Sequence, residues 1–334
     1  MDRFANHVLC LAALAATAAI AAGCSRQEAA APAPDTTAAS VPAPVEISIP
    51  GTRVFPESLT STRDGTLYIG SIGQAQIYRV APGGDTAEVF IQPGSGEMKQ
   101  IFGVFADEGS GTLWACSNDI GNGPPGAAPP QPSFLHAFEL ATGAPKGRHA
   151  FPAGGMCNDI AVGAGGDVYA TDTQGMQVLR LPVGGNALEV WSPAGAFGPP
   201  GGVLDGIAVV NGRVIVNTLV TNKLFAVDVG ADGKAAKVTE LKLSAPVSGP
   251  DGMRSYGDNG LLTTDGGGKI LHVTIDGDNA TVTTVKDGLE GPVSVAVANN
   301  MGYALEGQLA IMFAGPGGQA PAEKPYRAVG FPLP

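Results

Sequence analysis

The chain has 334 residues, with 49 glycines, 27 prolines and only 15% charged residues, a composition that suits many tight turns between short strands. Because 44% of the residues are apolar, disorder is excluded and the chain is long enough for one large folded domain or two small ones. The net charge of −11, with no basic cluster, argues against nucleic acid as a partner, whereas acidic groups gathered in a pocket would attract cations.

The first 44 residues indicate a targeting segment followed by a spacer. An apolar, alanine-rich stretch ends at Ala21-Ala22-Gly23-Cys24, and residues 25–44 are rich in alanine and proline. This sequence resembles the lipobox of bacterial lipoproteins, which implies a signal peptide over 1–23, lipid on Cys24 and a tether over 24–44. We expect a protein held in the bacterial cell envelope by this lipid anchor only, facing the periplasm, with Ser25 favouring the outer membrane. The alternative is an ordinary cleaved signal peptide with a chance cysteine.

A short phrase is repeated six times along residues 45–334. Each copy has an acidic, amide or apolar residue at a key position, then a small residue in most copies, then an apolar residue that opens a segment of alternating hydrophobicity. The key positions are Glu57, Phe102, Asn158, Asp205, Asp251 and Val293. They lie 42 to 56 residues apart, which is the length that a propeller blade of four short strands needs. The sequence therefore predicts an all-β fold, a six-bladed β-propeller over 45–334.

Strands and hairpins can be assigned within each copy from alternation and turn residues. In blade one we predict strands over 57–61, 67–71, 76–80 and 87–91, with a turn at Asp64-Gly65. Third strands follow in the later blades over 134–138, 177–181, 223–227, 270–275 and 309–313. The stretch 45–49 is predicted to join the last blade beside 328–332 and to close the ring. A Pro/Gly-rich insert over 121–132 is predicted to be a surface loop; the sequence leaves open whether it closes over a pocket.

Four of the six key positions carry an oxygen ligand, and in a propeller these side chains converge on the axis. Glu57, Asn158, Asp205 and Asp251 would together form a site for a hard divalent cation, calcium first and zinc as the alternative. Such a cation could polarise a carbonyl and activate water while a carboxylate takes the proton, which suits hydrolysis of an ester or a lactone. A purely structural cation that fastens the blades is equally compatible with the pattern.

A second column of polar residues lies where the second strands end, on the same face as the key positions. Its members are Ser71, Ser117, Asp172, Thr218, Asp265 and Glu306. They are either an outer ring that backs the site or lines the pocket, or polar residues that cap strands near turns.

The remaining chemistry-bearing residues are few. Cys116 and Cys157 are expected near the same face of adjacent blades, either as a disulfide or as two buried free thiols. His136, His149 and His272 fall on strands or loops and are expected to be structural, so Ser-His-Asp catalysis has no support.

The phrase Gly249-Pro250-Asp251-Gly252-Met253, followed by a hairpin and Gly267-Gly268-Lys269-Ile270, resembles the regucalcin/gluconolactonase family, as do Glu57, Asn158-Asp159 and Asp205-Gly206. The resemblance spans about residues 45–334 and implies a six-bladed, metal-dependent lactonase. It also implies that Glu57, Asp205 and Asp251 are metal ligands, that Asn158 lies near metal and substrate, and that Asp251 is the general base.

Three positions of the implied pocket differ from, or add to, that pattern. Asp205 stands where the family has an asparagine, which adds negative charge at the metal. Met156 stands where the sugar-binding members have an arginine, and Phe102 adds an apolar wall. With Asn158 and Asp159 these residues are the predicted substrate pocket, which should prefer a less polar ligand than an aldonic lactone.

Three functions from different classes fit the sequence. The first is an extracytoplasmic lactonase or esterase acting on a small molecule, expected to be a monomer. The second is a non-catalytic periplasmic propeller that binds a metal or a small ligand. The third is a scaffold lipoprotein whose partner docks on the ring face, and the convergence of four oxygen ligands argues against it.

Overall fold

In a computed structural model, the described residues are 45–121, 132–192, 195–314 and 322–334, and they form six sheets that confirm the predicted six-bladed β-propeller. The predicted signal peptide, Cys24, the tether and almost all of the 121–132 insert lie outside the described residues. Within the described ranges, no helix is both long enough and apolar enough to cross a bilayer.

Each of the first three blades is a meander of four antiparallel strands, numbered outward from the axis. Blade one contains β2 Pro56–Ser61, β3 Leu67–Ser71, β4 Gln76–Val80 and β5 Glu88–Ile91. Blade two contains β6 Gln100–Asp107, β7 Thr112–Asn118, β8 Phe134–Glu139 and β9 Pro145–Ala150. Blade three contains β10 Cys157–Val162, β11 Val168–Asp172, β12 Gln177–Leu181 and β13 Glu189–Ser192.

The last three blades repeat this plan with two elaborations. Blade four contains β14 Leu204–Val210, β15 Arg213–Thr218, β16 Lys223–Val229 and β17 Ala235–Glu240. Blade five contains β19 Met253–Tyr256, β20 Gly260–Asp265, β21 Lys269–Asp276 and β22 Asn279–Lys286, with β18 Lys242–Leu243 added in parallel at its outer edge. Blade six contains β23 Pro292–Ala298, β24 Met301–Glu306, β25 Tyr326–Pro332 and β1 Glu46–Ile49.

The two ends of the described chain close the ring in blade six. Strand β1 pairs antiparallel with β25, in the register Glu46 opposite Val329 and Ile49 opposite Tyr326. This is the predicted closure of 45–49 against 328–332. Because β1 supplies the outermost strand of the last blade, the first and last segments are fixed by one sheet.

The third strand of blade six differs from the predicted one. The predicted strand 309–313 is wrong, since Leu309–Met312 forms a short helix, α1, and the third strand is β25. A short apolar run has no periodicity that separates a strand from a helical turn, whereas β25 alternates between buried and partly exposed residues. The connection from β24 to β25 therefore carries an apolar turn on the face where the second strands end.

Candidate functional site

Five of the six repeated key positions lie at β-bulges on the innermost strands. The register of the inner strand against the second strand shifts at Glu57, at Phe102-Gly103, at Asn158-Asp159, at Asp205-Gly206 and at Val293. In blade five, Asp251 lies two residues before β19 begins. A bulge leaves an extra residue unpaired and bends the strand, so it redirects one side chain of each blade. The repeated phrase is thus the sequence signal of this bulge.

Three key positions are followed by a glycine because the next blade lies directly against that residue. A Cβ on Gly103 would lie 2.3 Å from the carbonyl oxygen of Asn158, and one on Gly206 would lie 2.4 Å from that of Asp251. A Cβ on Gly252 would lie 2.8 Å from the Val293 carbonyl oxygen. Since such distances are below any normal contact, these glycines allow the key residues of neighbouring blades to approach one another.

The four predicted ligands are brought together at one end of the axis. Glu57, Asn158 and Asp205 are buried, with exposed fractions of 7%, 6% and 5%, whereas Asp251 keeps intermediate exposure. The Asn158 amide donates to Thr173 Oγ1 at 3.1 Å and also lies in hydrogen-bond contact with the Asp205 carboxyl. The carboxyls of Asp205 and Asp251 are close enough to share a proton.

The three carboxyls disfavour one another's charge. Burial, followed by the charges of Asp205 and Asp159, raises the pKa of Glu57 well above its usual value, although Arg254 opposes this. Burial raises the pKa of Asp205 to about 7 despite a hydrogen bond with Asp251. Burial and the charges of Asp205 and Glu57 raise the pKa of Asp251 well above its usual value. Without a cation, the cluster therefore holds protons near neutral pH.

The donor set matches a divalent cation in chemistry. Three carboxyls and one amide oxygen are the oxygen donors that calcium accepts, and Asp205 Oδ1 is buried without a hydrogen-bond partner. Across the described ranges, however, no three His, Cys, Asp or Glu side chains are already arranged as a metal cluster. The donors fit in chemistry and in burial, and their side chains would have to close around an ion.

Apolar residues border this end of the axis. Phe102 is buried and Met156 is partly buried in one cluster between blades two and three. Leu309 and Met312 of α1 pack against that cluster and also against the cluster shared by blades six and one. The helix that replaces the predicted strand therefore lies across the site face, beside the Phe102 and Met156 positions.

Asp159 and Arg254 form a buried ion pair on the axis, and sequence reasoning missed Arg254 altogether. Arg254 Nη1 donates to both carboxylate oxygens of Asp159, at 3.1 and 2.9 Å, and the two side chains are only 9% and 5% exposed. Asp159, predicted as a pocket residue, thus has its carboxylate committed to this pair. The available signal was the aspartate itself, at a position that is glycine or serine in the other five blades.

Two second-strand residues, also missed, hold the backbone of the site. Thr171 Oγ1 accepts from the Asp159 amide at 3.0 Å and donates to the Asp205 carbonyl at 2.6 Å. Asn217 accepts from the Gly206 amide at 2.9 Å and donates to the Asp251 carbonyl at 2.6 Å. Each residue therefore ties a site segment of its own blade to that of the next.

The predicted outer ring makes contacts of another kind, because four of its members accept amide hydrogens from the loops that enter the inner strands. Ser117 accepts from Lys99, Asp172 from Met156, Asp265 from Ser248 and Glu306 from Glu290. Ser71 donates to the Val54 carbonyl, and Thr218 contacts Thr221 and Lys223. These contacts are those of the capping alternative, and they fix the loops on the site face.

Cys116 and Cys157 are joined by a disulfide, with 5.1 Å between their Cα atoms. Asn118 adds two bonds to the same point, since its side chain accepts from the Cys157 amide and donates to the Cys157 carbonyl. Blades two and three are thus connected covalently one residue before Asn158.

No family model matches the chain, and no curated protein matches it. A gluconolactonase from Xanthomonas campestris has a similar structure, with a TM-score of 0.58 and 15% identity over 84% of this chain and 86% of that one. A luciferin-regenerating enzyme has a TM-score of 0.62 and 13% identity over 87% and 96% of the two chains. Virginiamycin B lyase from Staphylococcus aureus has a TM-score of 0.56 and 17% identity over 80% and 83%. At these identities the likeness shows the propeller fold, which unrelated reactions share.

Proposed function

We propose that the protein is a metal-dependent hydrolase of lactones or related esters. The proposal rests on the proximity of Glu57, Asn158, Asp205 and Asp251, which come from four blades and of which the first three are buried. The family resemblance of these four positions supports the same activity. The likeness in fold to a gluconolactonase adds that this architecture can carry such a reaction.

The four axial residues have distinct roles in this proposal. Glu57, Asn158, Asp205 and Asp251 would hold the cation, calcium in the first place and zinc as the alternative. When bound, the cation supplies Lewis acidity toward a carbonyl oxygen and lowers the pKa of water. Asp251 is the general base: it is the most exposed of the four, and its carboxylate would take the proton of the attacking water and return it to the leaving oxygen.

The proposed substrate is a small lactone or ester that is less polar than a sugar lactone. Phe102 and Met156 place apolar groups beside the carboxyls, and Leu309 and Met312 of α1 extend that apolar border. Nucleic acid is not proposed as a partner, because the net charge is −11.

We further propose that the protein works in the bacterial envelope as a monomer, held by lipid on Cys24 and facing the periplasm. A disulfide between Cys116 and Cys157 supports an oxidising compartment. The outer membrane is the preferred site because of Ser25.

The proposal is tested on the 25–334 fragment, which holds every described residue. Acid release would be followed from sugar, aliphatic and aromatic lactones with calcium, with zinc and with a chelator. Hydrolysis that the chelator abolishes and the metal restores is the expected result. Absence of turnover with any metal, from a fragment with a cooperative melt, would overturn the enzyme proposal in favour of a binding propeller.

A further inference from the structure

The Arg254 guanidinium forms hydrogen bonds with residues of several blades close to the axial carboxyls. Besides Asp159 of blade three, Arg254 Nη2 donates to Ser58 Oγ of blade one at 3.2 Å and to the Val104 carbonyl of blade two at 2.9 Å. Arg254 Nη1 also donates to the carbonyl of Met253 in its own blade, at 2.6 Å. One planar group thus contacts four blades at once, which the fork geometry of arginine permits and lysine does not.

The partners of Arg254 belong to a recurrent bridge between blades. In this bridge, the acceptor is the side chain of the residue that follows the key position of one blade. The donor is a backbone amide of the next blade, two residues after that blade's key position. Ser294 accepts from Leu59 at 3.1 Å and Ser58 accepts from Val104 at 3.0 Å. Asp159 accepts from Ile207 at 3.4 Å, at the equivalent place. Asp159 therefore does in blade three what serine does elsewhere, and it adds a charge that Arg254 compensates.

Four of the residues in these contacts, one for each candidate ligand, lie within three positions of that ligand in the sequence. Ser58 follows Glu57, Asp159 follows Asn158, Ile207 lies two residues after Asp205 and Arg254 lies three residues after Asp251. On the far side of Arg254, a cavity of about 130 Å³ is lined by later inner-strand residues such as Phe105, Ala161 and Val209. The ion pair therefore lies between the carboxyl cluster and this cavity.

We propose that the Arg254–Asp159 ion pair is a positioning element that fixes the inner strands carrying Glu57, Asn158, Asp205 and Asp251 relative to one another. This inference rests on the proposed function for the role of the four residues, but the positioning itself is a property of the fold. Neither Arg254 nor Asp159 needs to touch metal or substrate.

Removal of Arg254 alone would leave Asp159 as an unpaired buried charge and could unfold the protein. The test therefore uses variants that keep the net charge, so that loss of the positioning contacts is distinguished from a change in charge. Asp159→Ser/Arg254→Met removes one charge of each sign and restores the serine-type bridge. Arg254→Lys keeps the charge and loses the fork. The control is Asp167→Ser/Arg180→Met, which removes a partly exposed ion pair of blade three with an Arg180 Nη2–Asp167 distance of 2.8 Å.

Calcium affinity by calorimetry and hydrogen exchange of inner-strand peptides are the readouts. In Asp159→Ser/Arg254→Met we expect calcium affinity to fall at least tenfold and exchange over 57–61, 158–162 and 204–208 to rise, with a smaller effect in Arg254→Lys. The control should change neither. A folded double variant with parental affinity and parental exchange would overturn the inference. If the parent itself binds no calcium, the proposed function loses its metal, and the exchange result alone decides the positioning role.

Discussion

The sulfur of Cys157 is bonded to that of Cys116, and the next residue in the chain is Asn158, whose amide lies beside the Asp205 carboxyl. The Asn118 side chain also forms hydrogen bonds with both the amide and the carbonyl of Cys157. The strand that contains Asn158 is therefore fixed by a disulfide and by two hydrogen bonds at the residue before Asn158. The disulfide thus supports the fold at the edge of the candidate site.

Replacing both cysteines with alanine should destabilise the protein without changing its fold. The bond closes a loop with a sequence separation of 41 residues, for which the chain-entropy model gives about 4 kcal/mol of unfolding free energy. Denaturant unfolding of Cys116→Ala/Cys157→Ala beside the parent measures this difference. Thiol alkylation of the denatured, unreduced parent is the control, and labelling of both cysteines there would show that no disulfide had formed.

Asp251→Asn should lower kcat by about 10²- to 10⁴-fold, which is the usual contribution of a general base. The change removes the proton acceptor and keeps the size of the side chain. Lactone turnover and calcium affinity are measured together, so that loss of the base is distinguished from loss of the metal. Asp265→Asn is the matched control in the same blade, since Asp265 accepts amide hydrogens from Ser248 and Gly267. Equal kcat in Asp251→Asn and parent would remove Asp251 from the mechanism.

The sequence predicted the ring and its axial residues because both depend on local features that repeat. The close approach of the next blade favours Gly or Ser after the key position, so the phrase is visible in the five blades that have Gly or Ser there. The 309–313 prediction failed because five apolar residues carry no period, and the true third strand lay beyond a long connection. Arg254 could not be assigned, since its partner Asp159 is 95 residues away and only closure of the ring brings them together.

Without a cation, the three axial carboxyls should contribute less stability to the protein as the pH rises from about 4 to 8. Asp205 has a pKa of about 7 in the folded protein against 3.8 in the unfolded chain, so the folded state binds more protons between these values and the free energy of unfolding falls with rising pH. The pKa values of Glu57 and Asp251 are raised too and act in the same direction. Calcium should remove this loss, because it replaces the protons.

Thermal melts at pH 5 and pH 8, each with chelator and with calcium, measure this dependence. The carboxyl cluster should lower the Tm of the chelated protein at pH 8 relative to pH 5, and the increase in Tm due to calcium should be larger at pH 8. Asp205→Asn removes one of the titrating groups and should flatten the chelated profile. A chelated Tm difference between pH 5 and pH 8 that is the same in Asp205→Asn and in the parent would contradict the raised pKa of Asp205, since burial of His136, whose pKa is lowered to about 4, acts in the opposite direction in both proteins.

Glu57→Gln should weaken calcium binding at least tenfold while leaving the fold intact. The substitution keeps one oxygen and the shape of the side chain but removes a charge from a buried cluster of three carboxyls, which also relieves their mutual repulsion. The metal-free variant should therefore be more stable than the metal-free parent at pH 8, although it binds calcium less well. A calcium titration identical to the parent's would exclude Glu57 as a ligand.

Met156→Arg should shift substrate preference toward polar sugar lactones. Met156 is partly buried in the cluster that contains Phe102, and its amide is held by the Asp172 carboxylate at 2.9 Å, so the backbone at this position is fixed and the exchange changes mainly the side chain. A guanidinium beside the carboxyls can donate to lactone hydroxyls, whereas the methionine offers only apolar contact.

The ratio of kcat/KM for a sugar lactone to that for an aliphatic lactone measures the shift, which should be at least tenfold. Met156→Leu keeps an apolar side chain of similar volume and should leave the ratio as in the parent. An unchanged ratio in Met156→Arg would show that this position does not select the substrate and would leave Leu309 and Met312 of α1 as the apolar border to test.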